Sequence, residues 1–145
     1  MKTTLLILFI AIPSILFSQK KITSLEVKRT GCKGTCPVYE YQVNSSGIII
    51  YTGLRFVGNV GKYKINVGQK NVSKIFKKLE RNDFENADDM YDLKQSDISM
   101  LFYKINLKSG EKNIGRANFG PKYLQETFND IDNIVKKYTW TKINE

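Results

Sequence analysis

The feature that most constrains the fold is a change of hydrophobic period near residue 70. Before it, apolar and polar residues alternate. Tyr39, Tyr41 and Val43 are interleaved with Glu40 and Gln42, and Tyr63, Ile65 and Val67 with Lys62, Lys64 and Asn66. A period of two puts every second side chain on one face of a strand. After it, Val72, Ile75, Phe76 and Leu79 fall at i, i+3, i+4 and i+7, which is one face of a helix. Lys70, Lys74, Lys77, Lys78 and Arg81 lie largely on the other side and read as its wet face. A chain that switches in this way needs a half-buried sheet and a helix to cover it.

The remaining segments follow the same logic. Ile22, Leu25 and Val27, broken by Thr23, Ser24 and Glu26, predict a first strand. Asn44-Ser45-Ser46-Gly47 is turn chemistry between residues 39–43 and the β-branched run 48–51. Gly53, Gly58 and Gly61 precede a strand rather than a helix, so they read as turn or bulge glycines and not as a phosphate cradle. Leu101, Tyr103, Ile105 and Leu107 alternate with Phe102, Lys104, Asn106 and Lys108; Ser109-Gly110-Glu111 turns that strand, and residues 112–118 return. Gly120-Pro121 stops the sheet and opens a helix, with proline at its first position. Leu124, Phe128, Ile131, Val135 and Tyr138 form its buried stripe. The predicted fold is α+β, a mainly antiparallel sheet in the order ββββ-α-ββ-α with two amphipathic helices packed on one face.

The N-terminus speaks to compartment. Lys2 precedes an apolar run from Leu5 to Phe17, closed by the small residue Ser18. That is the layout of a secretory signal peptide, and the run is short for a membrane helix, which needs about 20 residues. The expected organisation is a leader over residues 1–18 and a single domain over 19–145, exported to the periplasm or secreted, with no stable membrane span after cleavage. The alternative is an uncleaved N-terminal anchor. The 23 basic side chains lose Lys2 with the leader, and the 22 that remain exceed the 14 acidic ones by eight. With no arginine-rich or aromatic-interleaved cluster, nucleic acid is not the expected partner. An envelope protein, an anionic surface polymer or lipid headgroups fit better, although plain solubility accounts more simply for lysines scattered along the chain.

Both cysteines lie in RTGCKGTCPVYEY, residues 29–41, separated by three residues. A disulfide needs Cα atoms within about 7 Å, and four extended steps span roughly 13 Å. Cys32 and Cys36 can therefore pair only if Lys33-Gly34-Thr35 turns back, which Gly34 permits. Export favours the bond, which would act as a structural clamp on the turn. The alternative is a thiol-disulfide redox pair, with Arg29 and Lys33 near enough in sequence to lower a thiol pKa. Against it, the flanking pattern is β rather than the helix start of a redox motif. No histidine occurs in the chain. That removes Ser-His-Asp and Cys-His catalysis and leaves two thiols too few for structural zinc, so no metal or cofactor is expected.

The ordered set Arg29, Cys32, Gly34, Cys36, Pro37 and Tyr39, written R-x-x-C-x-G-x-C-P-x-Y, resembles the signature of a bacterial family known only as domain of unknown function 6438. The likeness continues through Gly47, Tyr51, Gly53, Gly61, Phe84, Tyr91, Asp97, Gly110, Gly120-Pro121, Leu124 and Trp140, and covers roughly residues 22–140. The chain has Ser96 beside Asp97 where relatives often carry threonine. The resemblance implies an exported protein of one compact fold and implies no activity.

Other chemistry is thin. Asp83, Glu85, Asp88, Asp89, Asp92 and Asp97 form an acidic, irregular segment that could include a glycosidase-like carboxylate pair or bind calcium, although their spacing fits no EF-hand loop. The leading expectation is a non-catalytic binding or interaction module of the cell envelope, with no catalytic residue assigned and Arg29, Tyr39, Tyr91 and Asp97 as its functional surface. A redox protein using Cys32 and Cys36 is the alternative, followed by a carboxylate enzyme acting on surface glycans.

Overall fold

The computed structural model describes residues 21–92, 94 and 97–144. The leader expected over residues 1–18, with the cleavage expected after Ser18, lies outside the described residues, as does Ser96. Among the described residues, one sheet contains β1 (Ile22–Arg29), β2 (Val38–Asn44), β3 (Ile48–Arg55), β4 (Gly61–Asn66), β5 (Met90–Tyr91), β6 (Leu101–Leu107), β7 (Gly110–Arg116) and β8 (Trp140–Lys142). Helices α1 (Gln69–Arg81) and α2 (Lys122–Val135) follow β4 and β7, and a short 3-10 turn covers Phe84–Asn86. The strand order is β5-β7-β6-β1-β2-β3-β4-β8. All neighbours are antiparallel except the short β5, which runs parallel to β7. β1 thus lies inside the sheet, hydrogen-bonded to β2 on one side and to β6 on the other.

Register turns the alternating sequence into two unlike faces. One transverse row reads Ile114, Tyr103, Val27, Tyr41, Tyr51 and Tyr63, all on the same face. Both helices cover it: Val72, Ile75, Phe76 and Leu79 of α1 and Leu124, Phe128, Ile131 and Val135 of α2 join these side chains in one buried core. The opposite face carries Lys28, Glu40, Thr52 and Lys62 in a matching row, with Phe102 partly exposed among them. The irregular spacing of Ile22, Leu25 and Val27 is absorbed by a bulge between Ile22 and Ser24, which lets Ile22 reach the core as well.

The α+β architecture and the one-sided helices agree with the sequence expectation, and several details differ. Helix α2 ends at Val135, so Tyr138 leaves the stripe and is 39 % exposed, its hydroxyl accepting from Asn71 at 2.8 Å. Pro121 caps α2 from outside instead of opening its first turn. The acidic segment contains the 3-10 turn and β5. Lys78, expected on the wet face of α1, is half-buried between the helices and bridges to Asp130 and Glu126 of α2. Strand β8 was not expected. It docks because Trp140 stands 4.8 Å from the Tyr51 ring and 5.9 Å from Tyr63, and donates its indole N–H to the Val135 carbonyl at 2.9 Å.

Candidate functional site

At one end of the sheet β1 leaves, β2 enters, β6 enters and β7 leaves. The loops there are tied together by backbone geometry. Thr30 N–H donates to the Met100 carbonyl at 2.9 Å, Met100 N–H returns a bond to Thr30 Oγ1 at 2.9 Å, and Lys33 N–H reaches the Asp97 carbonyl at 3.4 Å. Loop 30–37 is drawn into a tight turn. Cys32 and Cys36 stand at disulfide distance, with sulfurs 1.96 Å apart and Cα atoms 5.6 Å apart. Between this loop, residues 97–99, the end of β7 and α2 lies a cleft of about 350 Å³. Leu101, Ala117 and Phe128 give it an apolar floor, and Arg29, Asp97, Ser99, Asn118 and Gln125 bring polar groups to its walls.

One arginine, Arg29, lines this cleft, and a second, Arg116, lies next to the lining residue Ala117 in the same sheet row as Arg29. Arg29 pairs across the sheet with Leu101, and Leu101 with Arg116, so all three share one face and one row. Two inter-strand steps separate the arginines, roughly 10 Å along the sheet. Arg116 is 5 % exposed. Its Nε donates to the Phe119 carbonyl at 3.2 Å and its Nη1 to Gln125 Oε1. Among the described residues, neither arginine forms an ion pair with a carboxylate. Buried charges are usually paired, because desolvation otherwise goes uncompensated. Among the described residues the acceptors bonded to Arg116 are neutral, and one of them is on a side chain that lines the cleft.

A second polar group lies beneath α2. Tyr39 and Tyr41 both donate to Asp132, Tyr41 at 2.7 Å and Tyr39 at 3.2 and 3.3 Å to its two carboxylate oxygens. Burial and the Asp132 charge push Tyr39 up to about 12, against the opposing pull of the Arg29 guanidinium beside its hydroxyl. Burial and the bond to Asp132 raise Tyr41 further. Both hydroxyls therefore keep their protons near neutral pH, as donors that hold α2 on the sheet. The Tyr39 ring stacks on Phe128, 6.0 Å away, and so connects this network to the cleft floor.

Of the residues singled out by sequence, Arg29, Cys32, Cys36 and Asp97 border the cleft, and Tyr39 stands directly behind it. Tyr91 does not line it. Its ring packs on Gly120, where an added Cβ would fall 2.6 Å from Tyr91 Cγ, and its hydroxyl accepts from Asp88 N–H at 2.9 Å. Tyr91 thus pins the acidic loop to the β7–α2 turn. Asp83, Asp88, Asp89 and Asp92 are likewise not among the cleft residues. Among the described residues no three acidic, histidine or cysteine side chains gather where they could hold a metal ion. Sequence reasoning missed Arg116 and Gln125. The signal for Arg116 was present: it lies two residues after Ile114 on one strand, so a core-facing Ile114 forces a core-facing arginine.

Residues 23–135 match the family described as Domain of unknown function (DUF6438), and the chain belongs to that family. No curated protein matches it.

Proposed function

We propose that this family member is a non-catalytic binding module of the cell envelope, exported by a leader cleaved after Ser18, and that its cleft receives an anionic group of a partner. One observation carries the reading: Arg116, a buried arginine with no carboxylate partner among the described residues, shares a sheet row with Arg29, which lines a cleft of about 350 Å³. Binding sites gather on loops held by a rigid scaffold, and four loops meet at this end. The raised affinity of Tyr39 and Tyr41 for their protons suits a structural donor better than an acid or base. On this reading Asp97 and Ser99 shape the rim, and the Cys32–Cys36 bridge holds the turn that forms one wall.

Crosslinking in the native envelope from a photoreactive residue at Asn118 tests it directly. A discrete partner should be captured, and the Arg29→Gln variant should reduce capture at least tenfold. In parallel, citrate titrated into the pure protein should shift the Nε–H NMR signals of Arg29 and Arg116. Capture that is unchanged in the variant, with no shift, overturns the reading. So does a hydrolytic activity lost on changing one named residue. N-terminal sequencing of the exported chain should begin at Gln19; an intact Met1 would make residues 1–18 an anchor.

A second reading rests on the sulfurs bordering the same cleft, where a substrate thiol could approach them. In that case the pair cycles. Alkylation and mass measurement across a glutathione buffer series separates the two: a clamp stays oxidised, whereas a redox pair opens within the buffer's range.

A further inference from the structure

The hairpin of β3 and β4 ends in an apolar tip that the cleft does not use. Leu54, Phe56 and Val60 are 47 %, 53 % and 59 % exposed and lie within seven residues of one another. Phe56 adopts φ +55°. Positive φ in a bulky non-glycine residue is an outlier that persists only where the surroundings hold it, and it clusters at functional sites. Here it turns an aromatic ring outward at the end of a rigid hairpin instead of folding it back onto the core, where the neighbouring Val57 does pack.

Charge around the tip is one-sided. No acidic residue occurs between Thr52 and Val67. Arg55 lies beneath the tip, with its guanidinium carbon 6.0 Å from the Phe56 ring centroid and one nitrogen close to Gly31 of the cysteine loop. Exposed Lys33 projects from that loop. Lys142 of β8 pairs opposite Tyr63, and its side chain comes near Gly61. Apolar side chains at the apex and cations behind them match the layering of an anionic bilayer surface, where acyl chains lie below a sheet of phosphates. Among the described residues no helix can cross a membrane, so such contact would be peripheral. The cleft beside the tip has charged and polar groups on its walls over an apolar floor, and the tip residues are not among those that line it.

We infer that the 54–60 hairpin tip is a membrane-contact element that inserts Leu54, Phe56 and Val60 among anionic lipid headgroups while Arg55, Lys33 and Lys142 meet the phosphates. The cysteine loop and the cleft lie at the same end of the sheet, so the contact turns that end toward the bilayer. The inference does not depend on what the cleft binds.

Vesicle co-sedimentation of the exported chain tests it. Vesicles containing phosphatidylglycerol should bind the protein at low salt at least tenfold more tightly than phosphatidylcholine vesicles, and binding should weaken as salt rises. Phe56→Gly should lower binding at least fivefold with an unchanged or higher melting temperature, because glycine accepts the backbone that phenylalanine strains against. Leu54→Ser with Val60→Ser should lower binding similarly, and Arg55→Gln with Lys142→Gln should remove the preference for anionic lipid. Equal sedimentation of wild type and tip variants overturns the inference. A concentration-dependent dimer that Phe56→Gly abolishes, without vesicle binding, overturns it in favour of a second copy as the occupant.

Discussion

At the residue scale, Asp132 explains more of the molecule than its half-exposed position on α2 suggests. It accepts both tyrosine hydroxyls from the sheet below. Asp132→Ala should leave two polar groups orphaned under the helix, at a combined cost of about 2–4 kcal/mol, read from urea unfolding. The same pair predicts alkaline behaviour. Tyr39 is held up to about 12 and Tyr41 is raised too, whereas unfolded tyrosine ionises near pH 10. Above pH 10 the unfolded chain releases protons that the folded chain keeps, so stability is intact below about pH 10 and falls as pH rises toward 12. Tyrosinate absorbance should show the fraction assigned to these two residues appearing only with unfolding; a smooth titration near pH 10 in folded protein would contradict the buried network. Gly47 shows why a family pattern can be physical. At φ +95° it sits against the start of α1, where an added Cβ would lie 2.4 Å from Gln69 N, so only glycine lets the β2–β3 turn support that helix.

At the scale of elements, β8 pairs with the edge of β4 and is anchored there by the Trp140 side chain. Trp140 inserts beside Tyr51 and Tyr63 and bonds to the end of α2. Trp140→Ala should cost about 3 kcal/mol, in the range for deleting a large packed aromatic, and should expose β4 as a new sheet edge. Thermal unfolding and limited proteolysis after residue 138 would report both. The cysteine loop behaves differently. Its five-residue ring constrains little unfolded chain, so Cys32→Ser with Cys36→Ser should lower stability by only about 2 kcal/mol and leave the circular dichroism of the sheet unchanged. The effect on the cleft should be larger than the effect on the fold, because one of its walls is the loop itself.

At the scale of the whole molecule, the sheet is built from the middle outward. β1 is the first strand in sequence yet is paired on both sides, and its partner β6 comes more than 70 residues later. Native-state hydrogen exchange should be slowest in β1, β2 and β6 and fastest in β5 and β8, the short strands at the two edges. Folding should be correspondingly non-local, since β1 cannot complete its pairing until the β6–β7 hairpin exists. The two faces also divide labour. One is closed by helices, and the loops at one end carry the cleft and the apolar tip together.

By itself the sequence determined the type of nearly every element, because a period of two or of 3.6 is a local consequence of which face is buried. It determined that two helices cover one face, and that Cys32 and Cys36 meet only across a turn. It made Arg29 and Asp97 visible because they stand near the cysteines or at a strand's start. Tertiary structure alone decided the rest. Strand order placed β1 beside β6, and that register set Arg29 and Arg116 in one row with a single leucine between them. β8 was illegible because three residues carry no period, and its docking depends on aromatics brought together from β3 and β4. Tyr91 was legible as a special position but not as an anchor for Gly120, since that contact joins segments nearly thirty residues apart. Local pattern encodes which side of an element is buried; only closure of the sheet encodes what it is buried against.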